Sequence, residues 1–151
     1  MDAEDQRADV MAIKAIIARQ FASLNWTRGT PADWNAFAAD FLPSATLYPA
    51  ARPVQSRTVD TFVARMKSLA ETSLPTFREV VLGSEVHVFG NVAVAIAACE
   101  MTENDTDVNR GVEMLLLVKS EGAWRIVSQA WDTASRSKPI PAHLLTRAAT
   151  T

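Results

Sequence analysis

The stretch Asn91–Met101, NVAVAIAACEM, decides how the rest of the chain is read. From Val92 to Cys99 it carries no charged side chain, so a strand formed there has two apolar faces. One alternate set is bulky (Val92, Val94, Ile96) and the other is small (Ala93, Ala95, Ala97, then Cys99). The small set suits the wall of a hollow. The bulky set suits a packing partner on the other side.

Working outward, hydrophobicity alternates with a period of two from Thr76, and Gly90-Asn91 reads as a tight hairpin turn. That turn sets Val88 opposite Ala93, Val86 opposite Ala95 and Ser84 opposite Ala97, with Gly83 a candidate bulge. The polar run TENDTDVN reads as a loop into RGVEMLLLVKS, which Glu121-Gly122 joins to AWRIVSQAWDTAS. This second turn predicts Val112 opposite Trp131, Met114 opposite Gln129 and Arg110 opposite Thr133, and opposed residues share a sheet face.

Upstream, the period is helical. Val10, Ile13, Ile17, Phe21 and Leu24 recur at steps of three and four, and Asp2, Glu4 and Asp5 suit the positive end of that helix. ADWNAFAADFL reads as a short second helix stopped by Pro43. A short strand and a proline-rich loop follow in SATLYPAARPVQS, and Thr58 is placed to cap a third helix, TVDTFVARMKSLAE. Helices first and a meander of strands after them describe an α+β domain. The expected organisation is one domain over residues 1–135 and a tail over 136–151.

The 151 residues are 48% hydrophobic and 21% charged, with a net charge of −2, which fits one globular domain. There is no Lys/Arg run to suggest a nucleic-acid or anionic-membrane partner, and no apolar run long enough to span a bilayer. The acidic N-terminus lacks a signal-peptide core, so a cytoplasmic location is expected. A single cysteine, Cys99, allows no internal disulfide. Two histidines and one cysteine, far apart, match no metal-ligand spacing, and no cofactor is expected.

These elements, in this order, resemble the nuclear transport factor 2-like superfamily, in particular its SnoaL-like and ketosteroid-isomerase-like branch. The likeness is carried by FASLN ending the first helix, DWNAFAADFLPSATLYP running into the first strand, and GAWRIVSQAWD closing the sheet, and it spans roughly residues 8–135. The resemblance implies a cone-shaped, cystatin-like fold, with a curved antiparallel sheet wrapped around three N-terminal helices. It also implies an apolar pocket between helices and concave sheet, and a homodimer through the convex face. On the isomerase pattern Ala97, Cys99 and Met101 fall on the concave face with Val127, Gln129 and Trp131, and the pairing above adds Val112, Met114 and Arg110.

The isomerase chemistry is not matched residue for residue. The tyrosine donor of the first helix falls near Gln20, the base carboxylate at Tyr48-Pro49, and the strand acid near Val112. Asp132 lies one residue away from the position of the epoxide-hydrolase aspartate, which turns it to the other face. Tyr48 is either a hydrogen-bond donor to a ligand or a tyrosine tied to backbone, and Arg110 is either a carboxylate anchor or a solvated, paired arginine. Gln129 is a ligand contact or a buried amide satisfied internally, and Trp131 a flat pocket wall or core. His87, Glu85 and Glu100 read as a polar patch on the convex face, and Cys99 as an inert packed thiol.

The expectation is therefore a protein that binds a small hydrophobic molecule. Its alternatives are a cyclase, isomerase or dehydratase acting on a polyketide- or steroid-like substrate, and a non-catalytic interaction module.

Overall fold

The computed structural model describes residues 2–145. Three helices, α1 (Ala3–Ser23), α2 (Trp34–Ala39) and α3 (Val59–Glu71), precede or interrupt a six-stranded sheet. Its strands are β1 (Phe41–Tyr48), β2 (Arg57–Thr58), β3 (Phe77–Phe89), β4 (Val92–Glu103), β5 (Asp107–Ser120) and β6 (Ala123–Thr133), in the spatial order β2-β1-β6-β5-β4-β3. The sheet is curved and unclosed, and only β1 and β6 run parallel. A 3-10 turn, Ala142–Leu145, ends the described chain.

Local chemistry explains the element ends. Asp2, Asp33 and Thr58 each accept a hydrogen bond from the backbone N–H three residues on, capping α1, α2 and α3. Glu121 and Gly122 both have positive φ, the geometry of a two-residue turn whose twist matches its strands. The polar loop expected between β4 and β5 is mostly strand, leaving only Asn104, Asp105 and Thr106 to turn the chain.

The helices cover one sheet face, and the core between the layers joins Ile13, Ile17 and Phe21 of α1, Phe37 of α2 and Phe62 of α3 to Ala93, Ala95, Ala97 and Cys99 of β4. The small set of β4 is thus the concave set. Val92, Val94 and Ile96 point the other way, as expected.

Two bulges set the rest of the register. In β3 the extra residue is Leu82, so Glu79 and Val81 share the concave face with Ser84, Val86 and Val88. In β6 the extra residue is Val127, because Leu117 pairs with Ile126 but Leu116 pairs with Ser128. The expected pairing beyond that point is therefore corrected by one residue. Glu113 lies opposite Trp131, Leu115 opposite Gln129 and Gly111 opposite Thr133. A shift of one turns every side chain of β5 over: Val112, Met114 and Arg110 lie on the convex face and Glu113 on the concave one.

The convex face is not wholly open. Ala134 N–H bonds Arg110 O, and the segment that follows returns across β3 and β4, where Leu144 is buried. A Cβ on Gly83 would sit 1.8 Å from Leu144 O, so the backbone approach there requires glycine. Between this segment and the sheet lies a hollow of about 420 Å³ whose lining includes Ile96, Val112, Met114, Ile140 and Leu144.

Candidate active site

Between the helices and the concave face lies a cavity of about 270 Å³. Its walls are apolar: Leu24, Phe37, Leu47, Phe62, Met66, Phe77, Met101 and Trp131 all contribute. Phe62 and Trp131 meet edge to face, with ring centroids 5.7 Å apart. Such a volume falls just below the roughly 300–1,000 Å³ of small-molecule sites.

The inner end is polar, and every polar group there is buried. Gln20 of α1 and Gln129 of β6 pair through both amides: Gln20 Nε2 donates to Gln129 Oε1 at 2.9 Å, and Gln129 Nε2 donates to Gln20 Oε1 at 2.7 Å. Gln129 Nε2 also donates to Glu113 Oε1 at 2.5 Å. Glu113 faces Glu79 of β3, and carboxyl oxygens of the two lie within 4.8 Å of each other and of Cys99 Sγ. The backbone N–H of Glu79 is held by Asn25 Oδ1 at 3.0 Å, and Asn25 in turn bonds the last carbonyls of α1.

Two carboxyls this close and this dry cannot both ionise. Burial, the charge of Glu113 and the hydrogen bond between the two hold Glu79 well above the ordinary carboxyl range. Burial lifts Glu113 to about 7, against the Gln129 and Glu79 hydrogen bonds that favour its charged form. At neutral pH the pair therefore retains a proton, carried on Glu79 and shared toward Glu113. A carboxyl near neutrality at the end of an apolar cavity has the properties of a general acid or base. Cys99 does not share that role: burial and the nearby acids raise its thiol far above its ordinary value, and it only donates weakly to Ala97 O at 3.7 Å.

The sequence-expected residues divide into three groups. Gln20, Met101, Gln129 and Trp131 line the cavity. Ala97 and Cys99 lie beneath it, fully buried in the core. Tyr48, Arg110, Val112 and Met114 face away. Tyr48 pairs with Ala130 on the convex side and is 37% exposed, because β1 sets Leu47 rather than Tyr48 inward. Arg110 donates to Glu100 at 2.9 Å, the solvated, paired arginine of the simpler reading. Asp132 points outward and accepts from Lys138 Nζ at 2.9 Å. On the convex face Glu85 binds His87 and, from the last turn, His143.

Sequence reasoning missed Glu79 and Glu113. The bulge at Val127 hid Glu113, since an unbroken register turns it outward. The bulge at Leu82 hid Glu79 in the same way. One signal was visible: Gln20 sits on the Ile13–Ile17 face of α1, so the sheet opposite had to supply a polar partner. The same holds for Asp9, buried on that face and accepting from Lys119 Nζ and Trp124 Nε1, both at 3.0 Å.

A curved, unclosed sheet wrapped on three helices is the nuclear transport factor 2-like, cystatin-like fold. The chain belongs to the family described as "Putative lumazine-binding", whose model matches residues 8–132. No curated protein matches it. Among solved structures it is similar to an NTF-2 like protein of unknown function from Silicibacter pomeroyi, with 21% identity, TM-score 0.60, and 88% of this chain and 99% of that one covered. It is also similar to an uncharacterized protein with a cystatin-like fold from Caulobacter vibrioides (17%, TM-score 0.65, 94% and 98% covered). A third similar structure is a hexachlorocyclohexane dehydrochlorinase, LinA-type3, from Novosphingobium barchaimii (8%, TM-score 0.72, 89% and 92% covered). At these identities the likeness is one of fold. Among the described residues no helix is long and apolar enough to cross a membrane.

Proposed function

We propose that the protein binds a small, mostly apolar cyclic molecule in the 270 Å³ cavity and moves a proton on it with the Glu79–Glu113 pair. The observation that carries this reading is the pair itself, buried where a ligand's inner end would lie. Glu113 as carboxylate takes a proton from carbon beside a carbonyl. Glu79 as acid donates to the carbonyl oxygen where negative charge develops. Returning the proton to another carbon isomerises the substrate, and passing it to a leaving hydroxyl releases water. Neither outcome needs a co-reactant. Gln129, fixed by Gln20, keeps Glu113 aimed and its charge supported.

The family description supports a flat heteroaromatic as one member of the ligand class, since a lumazine offers ring carbonyls and N–H groups to a carboxyl pair. The test is exchange in D2O. Cyclic ketones and lumazine are incubated with the protein, and loss of carbon-bound or shift of ring protons is followed by NMR. Wild type is expected to accelerate exchange of at least one ketone, and Glu113→Gln is expected to abolish it. Equal rates in wild type, variant and buffer would sink the proton-transfer reading while leaving binding to be scored from ligand shifts.

The second part of this reading is a homodimer through the convex face. Val92, Val94, Met114 and Leu116 all stand exposed there on adjacent strands, an apolar patch of the kind that marks an interface. A monomer by light scattering at micromolar concentration would refute it.

A further inference from the structure

The cavity has a charged mouth as well as an acidic floor. Arg57 and Arg65 both line it. Arg57 stands opposite Leu47 across the β1–β2 pair, and opposed residues share a face, so it looks inward with Leu47. Arg65 follows Phe62 by three positions on α3, which keeps it beside the cavity wall that Phe62 forms. Arg57 is half-buried and Arg65 exposed, whereas Glu79, Glu113 and Gln129 are buried. The arginines therefore mark the open end and the acids the closed one. Among the described residues neither guanidinium has a salt-bridge partner, in contrast to Arg19, which is paired with Asp40, and Arg110, which is paired with Glu100.

We propose that the ligand is an amphipathic monoanion: an apolar ring system with a carbonyl or hydroxyl oxygen at its inner end and a carboxylate at its outer end, gripped by Arg57 and Arg65. Each feature answers one part of the cavity. The ring fills the space walled by Phe62 and Trp131. The oxygen meets the carboxyl pair through a proton that the pair retains. The carboxylate gains two planar guanidinium forks, whose geometry matches it. It also lies at the end of the cavity away from the acids, so like charges are kept apart. This proposal rests on the cavity being the ligand site and adds which ligands it selects.

The experiment compares 6-hydroxy-2-naphthoate with 2-naphthol, the same ring and hydroxyl without the carboxylate, by isothermal titration at pH 7. The carboxylate compound is expected to bind about tenfold more tightly or better, the usual return of a charge-assisted hydrogen bond. The Arg57→Gln/Arg65→Gln double variant is expected to lose about that factor for the naphthoate and to leave 2-naphthol within about twofold. Arg65→Gln alone, at an exposed position, gives a smaller loss of the same sign and stands in if the double variant misfolds. Equal wild-type affinities for the two compounds, or equal losses for both in the variant, would overturn the proposal while sparing the cavity as a ligand site. Failure of both compounds to bind wild type counts against the cavity reading as well.

Discussion

Gln129 and Glu113 are joined by a 2.5 Å hydrogen bond across β5 and β6, and they meet only because Val127 is an extra residue in its strand. Without the bulge, Met114 would stand opposite Gln129. Glu113 would still face inward opposite Ala97 of β4, but Gln129 would turn to the convex face with Met114 and leave the acid without its amide partner.

Side-chain truncation tests the register directly. Leu115→Ala removes a fully enclosed side chain from the concave layer and is expected to cost about 2–5 kcal/mol. Met114→Ala, at a position 57% exposed, is expected to cost under about 1 kcal/mol. Urea denaturation of the two variants measures the difference, and the opposite order would put Met114 and not Leu115 on the concave face.

Removing the amide partner should move the acid. The Gln129 hydrogen bond favours the charged form of Glu113. Gln129→Leu is thus expected to raise the Glu113 titration above 7, read from its side-chain carbon shift in a pH series. It also strands Gln20, so a loss of about 1–3 kcal/mol in stability should accompany it. An unchanged or lowered titration would contradict the hydrogen-bond geometry.

Stability should fall as pH rises through neutrality. A glutamate that titrates near 4.5 in the unfolded chain and near 7 in the folded one binds more protons when folded throughout that window. By linkage, unfolding free energy then declines with pH from about 4.5 until the folded group has ionised, in total on the order of 3 kcal/mol for Glu113. Glu79, also raised, extends the decline upward. Thermal melts between pH 5 and 8 should show wild type losing more stability than Glu113→Gln. Parallel curves would mean that the pair is not buried and protonated as described.

Gly83→Ala probes the segment that crosses the convex face. Its Cβ would collide with Leu144 O, a backbone atom that can yield only by moving the whole turn. Hydrogen exchange followed by mass spectrometry should show lost protection over residues 136–145, with β5 and β6 unaffected. Retained protection would place that segment elsewhere.

The layers, the element order and the shared small-residue face of Ala93, Ala95, Ala97 and Cys99 were legible in the sequence. They follow from periodicity and from two short turns, which are local properties of the chain. The α1 stripe was legible too, including the awkward presence of Gln20 on it. The acid pair was not. Glu113 faces in because β5 sets it opposite Ala97 of β4, Gln129 turns to meet it only through the extra residue Val127, and Glu79 turns inward only through the extra residue Leu82. A bulge leaves no clear mark in alternation when apolar residues run together, as at Val80-Val81-Leu82 of β3 and Ile126-Val127 of β6. Composition and pattern by themselves thus determined a helix-covered sheet with a small-residue wall. Only the three-dimensional pairing of β3 and β5 with β4 decided that this wall ends in two carboxyls, because face is settled by strand register and register by contacts distant in the chain.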